Sequence, residues 1–196
     1  MITGRELAFG LLGAWRLVRN DASGLQYFDR SAHGALRSFW VMLLVAPAYA
    51  VLLMMQFEAS GVSQIGLRQI VLGGGIYIID WLLFPVILLR LAPVLKRQQE
   101  VSAYIAANNW AQILIYALAL FFGALGAVLP PSVSAPMNFL LLGLVALMQY
   151  RLLRHALAVT PPQAGLLVFA YLSLGLVLNA LLYSLLLAGN PAAQVG

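Results

Sequence analysis

The chain has 196 residues, 63% of them hydrophobic and only 9% charged, with a mean hydropathy of +0.93 and a formal net charge of +5. About a quarter of an ordinary soluble domain is charged, so this composition excludes a water-solvated globule and requires lipid as the main solvent. There is no cysteine, which excludes disulfides, thiolate metal sites and cysteine nucleophiles.

The first element is RELAFGLLGAWRLVRN. Leu7, Leu11, Ala14 and Val18 fall at helical spacing, Phe9, Leu12, Trp15 and Leu17 widen the apolar face, and Arg5, Arg16 and Arg19 stand toward the ends. Such a helix lies in the headgroup plane with Trp15, Arg16 and Arg19 at the membrane interface. The alternative is that it packs under the bundle. Arg16 and Arg19 also interrupt any apolar run here, so a cleaved signal peptide is not expected. Asp21, Ser23 and Gly24 break the helix, and GLQYFDRSAHGALRS reads as a second short helical piece leading into the membrane.

Span 1 runs from Phe39 to Phe57 with Pro47 near its middle, where a kink is expected. A short polar connector, EASGVSQIG, leads to span 2, Leu67 to Leu89, followed by Arg90. Span 2 holds Gly73, Gly74, Gly75, Asp80 and Pro85, and Asp80 is the only acid inside an apolar run. Leu91 to Asn109 reads as an amphipathic, basic connector that Pro93 helps to open, with Asn108, Asn109 and Trp110 marking the next interface. Span 3 is Trp110 to Leu129, where Ala119, Gly123 and Ala127 form a stripe of small residues suited to close helix packing, broadened by Gly126. Pro130 and Pro131 stop it, and PPSVSAP reads as an uncharged loop. Span 4, Met137 to Tyr150 and on to His155, has an apolar part shorter than the ~20 residues a crossing helix needs. Thr160, Pro161 and Pro162 make a break before span 5, Leu166 to Ala188. On span 5, Tyr171, Gly175, Asn179 and Tyr183 recur every fourth residue, and Gly175 adds a further packing position.

The expected fold class is therefore all-α: a polytopic membrane bundle of five transmembrane helices plus an amphipathic N-terminal interfacial helix. The chain divides into an amphipathic segment 1–37, a membrane domain 38–189 and a short tail 190–196. With five spans, ten of the eleven basic residues fall on one side, and only Arg68 on the other. The positive-inside rule then predicts a cytoplasmic N-terminus and an outward-facing C-terminus, as in a bacterial inner membrane with a periplasmic C-terminal end. The same rule accounts for the positive charge without nucleic acid.

Asp80 stands ten residues before Arg90, about 15 Å along a helix and near the middle of a ~30 Å hydrocarbon core. Arg90 is too distant to pair with it, and depth alone nominates Asn179 and Tyr116 as partners. An acid at this depth is a functional candidate by default. With no second acid, lysine or histidine inside a span, the balance leans to a structural pin, protonated or hydrogen-bonded between spans.

Catalytic patterns are missing. There is no HxxxH, HExxH, paired-acid or GxSxG motif, and neither GLLGAW nor GGGIY has the lysine of a phosphate loop. No enzyme activity, metal or cofactor is expected.

The lead-in FDRSAHGALRSFW, the polar-aromatic entry YIAANNWAQ and the five-span, N-terminus-inside architecture resemble the Yip-domain family of small membrane proteins over about residues 25–188. The resemblance implies an interaction or membrane-organising role and assigns no residue. The first expectation is thus a non-catalytic structural or accessory protein, embedded in membrane lipids and bound to other membrane subunits or to itself. The alternative is a small transporter or channel with a proton or cation site at Asp80.

Overall fold

Thr3 opens the chain's first helix with a reciprocal cap. Its hydroxyl accepts from the Glu6 amide at 3.2 Å, and the Glu6 carboxylate accepts from the Thr3 amide at 2.8 Å. The computed structural model describes residues 3–59 and 66–187. Most of the connector EASGVSQIG and the whole tail 190–196 lie outside the described residues.

Helix α1 spans Gly4–Val18, a short 3-10 turn spans Ala22–Tyr27, and α2 spans Ala32–Ser38. Asp21 and Ser31 cap these two turns by accepting from the amides of Ser23 (2.9 Å) and Gly34 (3.1 Å). Five long helices follow: α3 Trp40–Ala59, α4 Leu67–Leu95, α5 Val101–Val128, α6 Pro131–Ala156 and α7 Pro161–Leu187. All five are long and apolar enough to cross a membrane, with α2 and α3 counting as one run through Phe39. There is no strand among the described residues. The division at residues 37 and 38 falls at the end of α2, so the membrane domain and its lead-in are one continuous piece of chain.

Several boundaries differ from those expected. Pro93 does not end span 2: α4 continues to Leu95 and stops at Lys96, whose φ of 57° is left-handed. α5 begins at Val101, nine residues before Trp110, so most of the basic connector is helix. The loop PPSVSAP is helical from Pro131, which occupies a first-turn position where its missing amide proton costs nothing. Span 4 is thereby 26 residues long, enough to cross. Its Arg151 donates to the Val18 carbonyl, and Arg154 to the Val159 carbonyl at 2.5 Å. Both guanidinium groups thus close the basic end of the bundle rather than interrupting a span.

The two ends of the bundle are built differently. At the basic end, α1 and α2 lie against α5 and α6, and Ala14, Leu17, Leu88, Tyr104, Leu152 and Leu153 are buried together. Glycine permits the closest approaches. A Cβ on Gly13 would stand 2.7 Å from Phe28 Cζ and 2.9 Å from the Gly24 carbonyl, so α1 and the 3-10 turn meet backbone to backbone. At the other end the buried cluster is small, centred on Phe57 and Leu182. The buried residues of α6 all lie in its last nine positions, so its outer half is covered by the bundle on one side at most.

Three acids outside the spans hold the basic end in place. Backbone hydrogen bonding from Thr3, backed by its hydroxyl and by Arg37 at 2.7 Å, keeps the Glu6 carboxyl below its ordinary value. Hydrogen bonds from the Ser23 side chain and amide lower Asp21, and those from the Ser31 amide and side chain lower Asp29. Groups depressed by folding stabilise fully above their unfolded pKa, and that contribution is lost as pH falls through the folded value. Acidification below pH ~4 is therefore expected to expose residues 3–31 to protease while the spans stay protected. Unchanged cleavage between pH 7 and pH ~3 would show that these caps do not hold α1.

Candidate functional site

Asp80 lies close to the midpoint of α4, about 20 Å from Leu67 along the helix axis and about 22 Å from Leu95. The side chain is exposed on the wall of a cavity of about 250 Å³ bounded by α3, α4, α5 and α7. Tyr116 from α5 and Asn179 and Gly175 from α7 line the same cavity, so the residues nominated by depth come together around Asp80. Tyr49, Gln56 and Tyr77 complete its polar lining, with Leu52, Leu53 and Ile76 among the apolar remainder.

The aromatic groups are held rigidly. Tyr77 is one turn before Asp80 on the same helix face, and its ring stacks on Tyr49 at a centroid distance of 4.5 Å. Tyr49 meets Tyr116 edge-on at 6.4 Å. The Tyr49 hydroxyl donates to the Gly73 carbonyl at 3.0 Å, and the Tyr77 hydroxyl to the Met42 carbonyl at 2.5 Å. Gln56 donates to Asn179 Oδ1 at 3.0 Å, joining α3 to α7. Among the described residues Asp80 has neither a hydrogen bond nor an ion pair, and the Tyr116 hydroxyl has no hydrogen bond. Four tyrosines, at 49, 77, 116 and 171, are within electrostatic reach of the carboxylate.

A second cavity of about 750 Å³ adjoins the first and shares Leu52, Gln56 and Asn179 with it. It extends toward the end of the bundle opposite the basic one, past Gly123, Gly126 and Ala127, to Glu58, Ser134 and Asn138. Together the two exceed the ~300 Å³ at which small-molecule sites begin. Gly123 lies against Met55 and Leu52 of α3, Gly175 has open space where a Cβ would stand, and Ala127 is exposed. The small residues thus border cavities; among the three, only Gly123 approaches another helix closely.

Toward the basic end the cavity is closed. Phe84, one turn from Asp80 and 3% exposed, stands edge-on to Tyr171 at 5.1 Å and to Tyr104 at 6.2 Å. Beyond it lies a buried amide layer. Gln112 donates to the Tyr171 hydroxyl (3.2 Å), Tyr104 to Gln149 Oε1 (3.0 Å), and Gln149 to Asn108 Oδ1 (2.9 Å). Asn109 donates to the Ser38 hydroxyl (2.8 Å), while its Oδ1 is the one buried side-chain polar atom without a partner among the described residues. Asn108 and Asn109 therefore do not mark an interface. Asn108 accepts from the Gln149 amide of α6 and Asn109 donates to the Ser38 hydroxyl of α2, so both are held inside the bundle.

The stripe on α7 divides. Tyr171, Gly175 and Asn179 face the bundle, but Tyr183 is exposed. Trp15 is half exposed and stands beside Leu114, Ala117 and Leu118 of α5, with the Arg19 guanidinium 5.7 Å from its ring. Arg16 bonds the Ser23 hydroxyl at 3.0 Å and covers the Tyr27 ring. Sequence reasoning missed Tyr49, Gln56, Tyr77 and Glu58. The i,i+3 pairing of Tyr77 with Asp80 was the one local signal available for them.

No protein-family model, curated protein or solved structure matches this chain. Fold and cavity by themselves define a class: a multi-pass helical membrane protein with a largely apolar cavity between its helices that holds one carboxylate.

Proposed function

We propose that this chain is a non-catalytic membrane protein whose working part is the Asp80 cavity, a cation- or proton-binding site of a small transporter or channel. One observation carries the reading: a carboxylate at mid-span, in a cavity, with no partner among the described residues. An acid at the bilayer centre costs about 2.5–3.5 kcal/mol on insertion scales, so a proton or cation must offset the charge. Among the described residues, the buried amide layer nearer the basic end is bonded internally apart from Asn109 Oδ1, whereas the Asp80 carboxylate makes no bond at all. The positive-inside rule orients the N-terminus to the cytoplasm of a bacterial inner membrane, and the cavity then opens toward the periplasm. In this orientation α1 lies at the cytoplasmic interface, its Trp15 reaching toward the headgroups.

A hydrophobic carbodiimide, which reacts with carboxyl groups in apolar surroundings, tests the site. Asp80 is expected to be modified, and cations are expected to slow the modification. A labelling rate indifferent to every cation and to pH would refute the site.

A second reading has its own support. The outer half of α6 buries none of its residues and borders, with α3 and α5, the groove that holds Gly123 and Ala127. A helix of another membrane subunit, or of a second copy, fits such a gap. An accessory, membrane-organising role of the kind implied by Yip-domain proteins then follows. Purification in a gentle detergent separates the readings: a defined larger assembly supports the accessory role, and a lone chain argues against it.

A further inference from the structure

We infer that the ligand of the Asp80 cavity is an organic ammonium ion, admitted past Glu58; this rests on the reading of Asp80 as a cation site. The lining decides the class. A dehydrated divalent metal ion requires about six oxygen ligands. Here the Tyr49 and Tyr77 hydroxyl protons are committed to backbone carbonyls, and Asn179 Oδ1 is committed to Gln56. Asp80 supplies the one anionic group on this wall, and the other oxygens are neutral hydroxyls and amides whose orientation those bonds fix. The rest of the wall is tyrosine ring and aliphatic carbon from Leu52, Leu53, Ile76, Leu178 and Leu182. A carboxylate beside aromatic rings and methyl groups is the surrounding that suits an alkylated cation, which carries its charge on an apolar shell.

The route in favours the same charge. The outer cavity has Glu58 at its rim and neutral amides or hydroxyls from Gln56, Ser134, Asn138 and Asn179 along it. No lysine, arginine or histidine lines either cavity among the described residues. A passage with one sign of charge and low-dielectric walls raises the local concentration of the opposite ion. Phe84 closes the inner end against Tyr171 and Tyr104, so the site is reached from the Glu58 side.

The test uses the full chain in nanodiscs of zwitterionic lipid at constant ionic strength. Tetramethylammonium and butylammonium are compared with sodium and potassium, reading both the thermal unfolding midpoint and the rate of Asp80 carbodiimide labelling. The alkylammonium ions are expected to raise the midpoint and protect Asp80, and sodium and potassium to do neither. Asp80→Asn abolishes the midpoint shift. Tyr116→Leu weakens the apparent affinity about tenfold, equivalent to about 1.4 kcal/mol, while Tyr116→Phe retains it. If Asp80→Asn does not fold, the two Tyr116 variants decide. Glu58→Gln weakens binding at low salt and loses its effect at high salt. Equal protection by sodium overturns the ammonium assignment and leaves the cation site standing. Asp80 labelling that no cation slows overturns both.

Discussion

Replacing Gln149 by methionine is expected to destabilise the bundle by about 2 kcal/mol. Gln149 is fully buried on α6 and serves two polar groups of α5, accepting from Tyr104 and donating to Asn108. Methionine nearly matches its volume and removes both bonds, so the cost is that of two orphaned groups rather than a cavity. Each orphan costs about 1–3 kcal/mol in a soluble core. Polar contacts between membrane helices lie lower, about 0.6–1.7 kcal/mol, because the separated helices also find partners. Adding Tyr104→Phe removes one of the orphans and is expected to restore part of the loss. Reversible unfolding in mixed detergent micelles measures both variants. A single-variant loss below about 0.5 kcal/mol would show that the amide layer does not hold α5 to α6.

Gly10→Leu is expected to release α1 from the bundle. A Cβ at this position would fall within the indole of Trp110, which is itself buried in α5. The indole is a rigid plane, not the far end of a flexible chain, so it cannot yield cheaply. Overpacking of this kind costs about 1–3 kcal/mol, and the helix has an easier escape by undocking. The expected result is rapid proteolysis between α1 and α2 with the five spans still protected. Gly143→Ala is the control, because a Cβ there meets nothing within 4 Å; its effect is expected to stay within about 0.5 kcal/mol. Equal protease resistance of Gly10→Leu and Gly143→Ala would remove Trp110 as the anchor of α1.

The spans were legible because lipid imposes one rule on every residue of a crossing helix: its outward face must be apolar. Exposed Phe139, Leu166, Phe169 and Leu176 obey it. The same rule misled wherever polarity was satisfied internally. Asn108 and Asn109 read as an interface since sequence carries no information on partners, yet Ser38 and Gln149, some 70 and 40 residues away, pair with them. Span 4 looked short because prolines and arginines were counted against it. Pro131 starts the helix instead, and Arg151 and Arg154 bond carbonyls at the basic end.

By itself, then, the sequence determined a five-span helical membrane chain with its charge gathered at one end and a single acid at mid-depth. Those properties follow from composition and hydropathy, which act residue by residue. What surrounds Asp80 was a different kind of question. Tyr77 is a local neighbour, but Tyr49, Tyr116 and Asn179 arrive from three other helices, and the outer half of α6 leaves the cavity open to Glu58. Helix packing sets that arrangement. Close contact at the basic end, where glycines and paired amides bring α1, α2, α5 and α6 together, gives way beyond Phe84 to cavities that begin at the mid-depth carboxylate and reach the opposite end.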